Sequence, residues 1–477
     1  MGDSNVTGGQ HVQQAGKKKI LLNAFDMSTV GHLSPGQWKN PSDKSAAKRK
    51  LSYWIELAKL LERGGINALF LADTYDECIR RAAQWPVTDP TIPISAMAAM
   101  TENLSFAITA STSFEPLFLL AKRFSTLDHL TDGRFGWNIV TSWKKAAFKA
   151  VGLESPIEHD ERYRQADEYL RVLYKLWEGS WAPDALSPNP EADSYLDPNK
   201  VRQINHKGKY FCVNSRHILD PSPQRTPFLF QAGTSAAGSS FAAAHAEGIF
   251  VSGHSPSVLA PKIAAIRKQA AELGRDPQSI KFSSTFTPIL GRAEEEAQAK
   301  YEELKKYASV IGGLVLFSGW TGIDISRLPL DQDITAADSL EAHKVTSTLH
   351  SFTTRSEEVP RWTPRVVAEK AAIGGLRSVA VGTPEKVADE LELWVREADL
   401  GGFNIGYVTT PGTFEDVVDL LVPKLRRRGI YSEAPQEEGL TAREKVYGKG
   451  QIELRADHTG SQYNYDVYKE DAPYEGD

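Results

Sequence analysis

A short motif of small and hydroxyl residues, QAGTSAAG at 231–238, offers a site for a phosphate group. It follows the apolar run Phe228–Gln231 and precedes a helical segment that begins at Ala236, so it forms a turn from strand to helix. Free backbone amides at a helix start, together with the hydroxyls of Thr234 and Ser235, are well suited to bind an anion. An ordinary capped turn would use the same residues, and the motif alone leaves both interpretations open.

A histidine and a tyrosine in the sequence EHDERY form a second candidate site. His159 and Tyr163 are four residues apart at the start of a helical segment, so they lie on one face of that helix. Both side chains can donate a hydrogen bond to the same phosphate. The alternative is a capped surface helix whose tyrosine packs its ring on the protein surface and keeps its hydroxyl in water.

Three further polar residues stand just after apolar runs. Asp73 follows Asn67–Ala72, Ser113 comes shortly after Leu104–Ala110, and Asn138 lies near the end of the run 135–141. Asp73 could accept from the N–H groups of a heterocycle, and Asn138 could bond the amide groups of a ring. As alternatives, Asp73 could cap the next turn, and Asn138 could be a polar residue that ends a strand.

The spacing of the remaining reactive residues argues against several other chemistries. The eleven histidines form no HxH on an early strand and no HExxH, so no metal site is predicted. The two cysteines, Cys78 and Cys212, form no CxxC and are expected to be reduced thiols. No GxSxG is present, which argues against a hydrolase nucleophile. Paired carboxylates of a glycoside hydrolase stay open, because they can come from distant strands.

The elements that must position these residues alternate regularly along the chain. Eight nearly continuous apolar runs predict parallel strands that are buried on both faces: Lys19–Phe25, Asn67–Ala72, Leu104–Ala110, Phe135–Thr141, Phe228–Gln231, Gly248–Val251, Ile280–Thr287 and Phe403–Val408. Amphipathic segments between them predict helices: Ser45–Arg63, Pro116–Leu130, Asp160–Trp177, Ala236–Ala246, Pro256–Leu273, Glu294–Ser309, Pro384–Glu397 and Phe414–Arg428. This order predicts an α/β fold, a (β/α)8 TIM barrel with its site at the carboxyl ends of the strands. A doubly wound sheet is the alternative, although no GxGxxG follows any strand.

The predicted barrel spans residues 18–430 and carries two long insertions, at 179–224 and 312–382. Connections of this length are usually functional, so we expect both to shape the mouth of the barrel. Residues 1–17 are expected to be a disordered leader, because they contain no apolar segment typical of a secretion signal. Residues 431–477 are polar and acidic without periodicity, and we expect a C-terminal tail that could wrap around a partner.

Composition is typical of a soluble globular protein and excludes several partners. Of 477 residues, 41% are hydrophobic and 24% are charged. The formal net charge of -6 argues against binding to nucleic acid or to an anionic membrane. No apolar run approaches the ~18 residues of a membrane-spanning helix, so a cytoplasmic protein is expected.

Taken as a set, these motifs resemble those of the flavin-dependent monooxygenases of the bacterial luciferase-like superfamily. The similarity is greatest to the nitrilotriacetate monooxygenase branch, with dibenzothiophene-sulfone and long-chain alkane monooxygenases as relatives. The segments that carry it are HLSPGQW (32–38), LERGGINALFLAD (61–73), RFSTLDHLTDGRFGWNIVTS (123–142), EHDERYRQADEYL (158–170), SPQRTPFLFQAGTSAAG (222–238) and GWTGIDIS (319–326).

The resemblance implies a luciferase-like (β/α)8 barrel that is the oxygenase component of a two-component monooxygenase. Such an enzyme receives reduced FMN from a separate NAD(P)H:flavin reductase and forms a flavin C4a-peroxide with O2, which oxygenates a small organic substrate. A dimer or tetramer is expected. The alternatives are an oxidoreductase that transfers hydride with a flavin or deazaflavin without oxygen, and a non-catalytic flavin-binding protein.

The resemblance also implies roles for individual residues. His32 is expected to be catalytic, as a hydrogen-bond donor or proton relay close to the reacting oxygen. Trp38 and Trp320 are expected in the substrate pocket, and Trp320 stands where the sulfone-oxidising relatives have a histidine. The expected FMN ligands, of which the last three would hold the phosphate, are Asp73, Ser113, Asn138, His159, Tyr163 and Ser235.

Overall fold

The computed structural model describes residues 18–75, 84–253, 255–334, 359–376, 378–433 and 439–468. Its strands, in chain order, are β1 (Leu21–Met27), β2 (Ala68–Ala72), β3 (Ser105–Ser111), β4 (Phe135–Val140), β5 (Leu186–Asn189), β6 (Ser194–Leu196), β7 (Ile204–Lys207), β8 (Cys212–Ser215), β9 (Phe228–Gln231), β10 (Gly248–Val251), β11 (Lys281–Leu290), β12 (Ser378–Gly382) and β13 (Gly402–Ile405).

Eight of these strands close into a parallel barrel. They pair in the order β1, β2, β3, β4, β9, β10, β11 and β13, and β13 pairs with β1 to complete the ring, with Leu21 opposite Gly402. The predicted (β/α)8 barrel is therefore confirmed. The rings of Phe25, Phe70 and Phe230 pack with Phe250 to fill the interior, so the barrel is a packed core.

Helices surround the barrel, and several have nearly the predicted bounds, although the predicted helices Ser45–Arg63 and Phe414–Arg428 are each divided into shorter segments. They are α1 (Leu51–Gly64), α2 (Ile94–Ala98), α3 (Leu117–Leu130), α4 (Lys145–Ala150), α5 (His159–Trp177), α6 (Ala236–His245), α7 (Pro256–Glu272), α8 (Glu294–Tyr307), α9 (Val310–Thr321), α10 (Pro364–Ala371), α11 (Pro384–Ala398), α12 (Gly412–Asp416), α13 (Val422–Arg427) and α14 (Glu444–Tyr447). Local signals set several of these ends: Gly65 in a left-handed conformation stops α1, and the Ser235 side chain caps α6. Within the described residues, no helix is long and apolar enough to cross a membrane.

The two insertions contain structure that the sequence pattern did not reveal. The first holds two short antiparallel hairpins, β5–β6 and β7–β8. The described part of the second holds most of α9, then α10, and finally β12, which pairs with the carboxyl half of β11 outside the barrel ring. At ten residues β11 is long enough to pair with strands of the ring and with β12 as well.

Residues 439–468, which we call the C-terminal segment, pack against the amino end of the barrel. The sequence placed them in a tail because they show no apolar periodicity. Polar contacts hold the segment instead: Arg443 is fully buried and forms an ion pair with Glu247, with Arg443 Nε 2.8 Å from Glu247 Oε1. The Tyr447 hydroxyl donates to the Ser279 carbonyl oxygen over 2.9 Å. Such contacts leave no periodic signal in a sequence.

Candidate active site

A cavity of about 320 Å³ opens at the carboxyl ends of β2, β3, β4 and β9. This is the end at which barrel enzymes build their sites. Its walls combine aromatic rings, hydroxyls and a carboxyl group. The residues that line it include Asp73, Tyr75, Thr109, Ser111, Phe114, Thr141, Tyr163, Gln231 and Gly233.

One corner of the cavity is suited to an anion. His159 Nε2 lies 3.3 Å from the Ser235 hydroxyl oxygen, and the rings of His159 and Tyr163 are 5.3 Å apart. The Ser235 hydroxyl accepts a hydrogen bond from the Gly238 amide, and no acidic residue follows in the first turn of α6. The positive end of the α6 dipole therefore stays uncompensated by the chain itself.

Glycine is required where the turn before α6 approaches Tyr163. A Cβ atom on Gly233 would lie 2.3 Å from the Tyr163 hydroxyl oxygen and 2.6 Å from Gln231 Nε2. Burial raises the pKa of Tyr163, opposed by hydrogen bonds with the hydroxyls of Thr141 and Ser235. Tyr163 therefore stays protonated and can donate its hydroxyl hydrogen in this corner.

Two carboxamides on adjacent strands keep a free acceptor. Asn138 on β4 donates from Nδ2 to the Thr109 hydroxyl oxygen over 3.0 Å, but its buried Oδ1 has no partner among the described residues. The buried Oε1 of Gln231 on β9 likewise has none, and the two strands pair with Ile139 opposite Gln231. Because an unsatisfied buried acceptor costs ~1–3 kcal/mol, such atoms indicate where N–H groups of a ligand would bind.

Asp73 lines the cavity at the end of β2 and accepts a hydrogen bond from the Thr74 amide over 2.8 Å. Burial is the main cause that raises the pKa of its carboxyl group to about 7, and the negative charges of Asp89 and Glu115 raise it further. Ser113 has a different position: its hydroxyl donates to the Thr141 carbonyl oxygen over 2.7 Å and so joins the ends of β3 and β4.

His32 lies in the next sector of the barrel mouth, where β1 and β13 end. It is buried, with its ring centroid 4.7 Å from that of Phe25 and 5.7 Å from that of Tyr407. Its Nδ1 has no hydrogen-bond partner within the described parts of the chain. Burial first, and the positive charge of Lys48 second, hold the pKa of His32 well below its usual range.

The two predicted pocket tryptophans have different surroundings. The Trp320 indole N–H donates to Gln84 Oε1 over 3.2 Å, and Gln84 Nε2 donates to the His32 carbonyl oxygen over 3.1 Å. Gln84 thus connects Trp320 to the loop that carries His32. Trp38 lies on the short 3-10 helix Gln37–Lys39, outside the cavity lining and 53% exposed.

The structure therefore brings together five of the predicted residues around one cavity, and leaves others apart. Asp73 and Tyr163 line the cavity itself, Asn138 adjoins it through its bond to Thr109, and His159 and Ser235 lie beside Tyr163. Sequence reasoning missed Gln231 as a candidate ligand, although this residue opens the QAGTSAAG motif. It also missed Gln84 and Lys48, for which no local pattern exists, because their partners are 52 and 22 residues away.

Comparisons with known proteins agree with this geometry. A family model described as luciferase-like monooxygenase matches residues 30–399. The chain is 45% identical over 462 residues to a dimethyl-sulfide monooxygenase from Hyphomicrobium sulfonivorans, covering 95% of each chain. It is 43% identical over 456 residues to a long-chain alkane monooxygenase from Geobacillus thermodenitrificans (strain NG80-2), covering 94% of this chain and 98% of the relative.

A solved structure shows the same fold around a flavin. The crystal structure of riboflavin lyase RcaE, with modified FMN and its substrate riboflavin, superimposes with a TM-score of 0.83 at 33% identity. The match covers 94% of this chain and 100% of the other. The chain therefore belongs to the luciferase-like monooxygenase family, and it is a flavin-dependent monooxygenase.

Proposed function

We propose that this chain is the oxygenase component of a two-component system. It takes reduced FMN from a separate NAD(P)H:flavin reductase and uses O2 to oxygenate a small organic substrate. The observation that carries the proposal is the cavity at the carboxyl ends of the strands, which joins an anion corner to buried acceptors without partners. FMN presents the matching groups, a phosphate at one end and a ring with an N–H donor at the other.

The residues at this cavity fit FMN in three respects. The hydroxyls of Tyr163 and Ser235, the ring of His159 and the start of α6 can hold the phosphate. The free carbonyl oxygen of Asn138 can accept a hydrogen bond from the ring system, and that of Gln231, beside Tyr163, can accept one from a hydroxyl of FMN close to the phosphate. The absence of a Cβ atom at Gly233 lets the Tyr163 hydroxyl and the Gln231 carboxamide lie against the backbone beside the cavity.

The chain's own contribution is to bind, orient and move protons. Reduced FMN, when bound, supplies the electrons that activate O2 for reaction with the substrate. His32 accepts or donates a proton at Nδ1, its ring nitrogen without a partner in the described chain. The rings of Phe25 and Tyr407 pack on either side of it and keep water away from it.

The substrate pocket is proposed on the His32 side of the mouth. Trp320 is connected through Gln84 to the loop that carries His32. The names of two relatives give dimethyl sulfide and long-chain alkanes as their substrates. We propose a small organic molecule as the substrate here as well, with Trp320 as a wall of its pocket.

Rapid mixing of the anaerobic complex with oxygen tests the proposal. The protein is titrated with reduced FMN without air and then mixed with oxygenated buffer while the flavin spectrum is followed. We expect a transient spectrum that differs from those of reduced and oxidised FMN, and incorporation of labelled oxygen once a substrate is supplied. Tight binding with only slow, direct reoxidation would instead favour hydride transfer, and absence of binding would refute the site.

A pair of tyrosine variants tests the phosphate corner. Tyr163→Phe removes one donor to a charged group, so the affinity for reduced FMN is expected to fall by about 10- to 100-fold. Tyr195→Phe is the matched control, because Tyr195 is exposed on the β5–β6 hairpin, outside the cavity lining. Equal affinities of the two variants would contradict the assignment of the phosphate to this corner.

A further inference from the structure

Behind His32, a buried ammonium group joins the end of β1 to the end of β13. Lys48 lies on the 3-10 helix before α1, and its side chain is buried. It donates to the Asp26 carboxylate, to the Met27 carbonyl oxygen over 3.0 Å and to the Tyr407 hydroxyl oxygen over 2.5 Å. All three N–H groups of the ammonium therefore have an acceptor, which fixes the position of the cation.

The partner carboxylate is held just as firmly. Asp26 Oδ1 also accepts from the Met27 amide over 2.7 Å, and the Tyr53 hydroxyl lies 3.4 Å from Asp26 Oδ2. The Tyr53 hydroxyl is in turn 2.5 Å from that of Thr410. Apolar residues of similar volume often stabilise a core as well as a buried ion pair does. Stability alone therefore does not explain why charges stand at this end of the barrel.

The position of the cation relative to His32 suggests what it does. Lys48 Nζ lies 4.6 Å from the centre of the Tyr407 ring, and the His32 ring contacts that same ring at 5.7 Å between centroids. His32 has Phe25 as its other aromatic neighbour. The cation and the imidazole thus share one aromatic neighbour, in a region shielded from water where charges interact strongly.

We propose that Lys48 is a positioning residue for His32: its fixed ammonium adds to the effect of burial in keeping the imidazole uncharged, so that Nδ1 stays available to accept a proton during the reaction. This inference rests on the proposed function, since it concerns the reaction that His32 serves. It assigns to Lys48 a role that acts through the electrostatic field at His32, without contact with substrate or cofactor.

The charged and titratable groups packed around Lys48 are Asp26, which is in direct contact with it, Asp43, Tyr53 and Tyr407. Burial lowers the pKa of Lys48, while the carboxylates of Asp26 and Asp43 raise it and favour the charged ammonium. Burial and nearby negative charge raise the pKa values of both tyrosines, so they stay neutral. Gln84 and Trp320 approach from the other side and carry no charge. Lys48 also lowers the pKa of His32, after burial.

Histidine titration by NMR, together with the pH profile of oxygenation, tests the proposal. The protein is labelled at histidine carbon atoms, and His32→Gln identifies the His32 signal. We expect the wild-type His32 signal to titrate well below the range of an ordinary histidine. In Lys48→Met the His32 pKa is expected to rise by about 1–2 units, since a nearby positive charge is lost. The acidic limb of the oxygenation profile should move upward by a similar amount, because protonated His32 cannot accept a proton.

Further variants separate this electrostatic role from a structural one. Lys48→Met leaves the Asp26 carboxylate without its cation. Where this prevents folding, the double variant Lys48→Met/Asp26→Asn is used. The His32 pKa is expected to rise by less in the double variant than in the single one, because the negative charge of Asp26 is lost as well. Lys39→Met removes an exposed charge from the segment between β1 and α1, which also contains His32 and Lys48, and is expected to leave the titration of His32 unchanged. An unchanged His32 titration in the variants of Lys48, with FMN binding intact, would overturn the proposal. Absence of oxygenation by the wild type would refute the proposed function, whichever way His32 titrates.

Discussion

Replacing Arg443 by methionine tests whether the C-terminal segment is an integral part of the fold. The guanidinium is fully buried and donates to both carboxylate oxygens of Glu247, over 2.8 and 3.0 Å. It also donates to the carbonyl oxygens of Thr226 and Pro227, over 2.9 and 3.2 Å, and to that of Ile452 over 2.7 Å. The substitution leaves a buried carboxylate without its cation, so the free energy of unfolding is expected to fall by about 3–5 kcal/mol.

The assay is chemical unfolding followed by far-ultraviolet circular dichroism, with FMN binding as a second readout. Arg365→Met is the matched control, because Arg365 forms its two-bonded ion pair with Asp331 at the surface, where we expect no measurable change. The double variant Arg443→Met/Glu247→Leu should recover much of the lost stability, since no buried charge then remains unpaired. A loss below about 1 kcal/mol in Arg443→Met would refute the reasoning, because it would mean that the segment contributes little to the folded state.

Two further predictions concern the cavity. Burial raises the pKa of Asp73 in the folded protein to about 7, above the ordinary aspartate value of about 3.9, so the folded protein holds a proton that the unfolded chain releases. The free energy of unfolding therefore falls as pH rises between these two values. Between pH 5 and 7 the wild type should lose roughly 2 kcal/mol of unfolding free energy relative to Asp73→Asn, and parallel pH profiles of the two proteins would contradict this. Gly233→Ala places a methyl group against Tyr163 and Gln231, so the affinity for FMN, measured by fluorescence titration, should fall at least about tenfold. Gly401→Ala is the control and should leave this affinity unchanged, because a Cβ atom there meets no atom closer than 3.5 Å. Equal affinities of these glycine variants would show that the approach at Gly233 does not serve the ligand.

The barrel could be predicted because its signals are local. The run Gly248–Val251 is apolar, the run Phe228–Gln231 is apolar up to its last residue, and both form strands with these same bounds. Glycine or a capping hydroxyl marks helix ends such as Gly65 and Ser235. By contrast, β12 is a five-residue strand outside the ring, within an insertion where no alternation of strand and helix guides the prediction.

The candidate site was predictable only in part, for a physical reason. Residues after buried strands converge in any parallel barrel, so Asp73 and Tyr163 could be placed at its mouth from the order of elements alone. Whether such a side chain is free for a ligand depends on partners from other elements. The Ser113 hydroxyl is taken up by the Thr141 carbonyl oxygen, whereas Gln231 keeps an acceptor free. Such contacts follow from register between strands, which no local motif encodes.

The two ends of the barrel contain buried polar side chains that differ in how completely they are hydrogen-bonded. At the amino end, Arg443 reaches carboxylate and carbonyl acceptors from several elements, and the result is a closed, fully paired contact. At the carboxyl end, Asn138 and Gln231 lie on adjacent strands and each keeps a buried carbonyl oxygen without a partner in the described chain. The fold can thus satisfy even a buried guanidinium where no ligand is needed. We infer that FMN, when bound, can satisfy the free acceptors of Asn138 and Gln231, because Gln231 lines the cavity and Asn138 bonds to Thr109, which lines it as well.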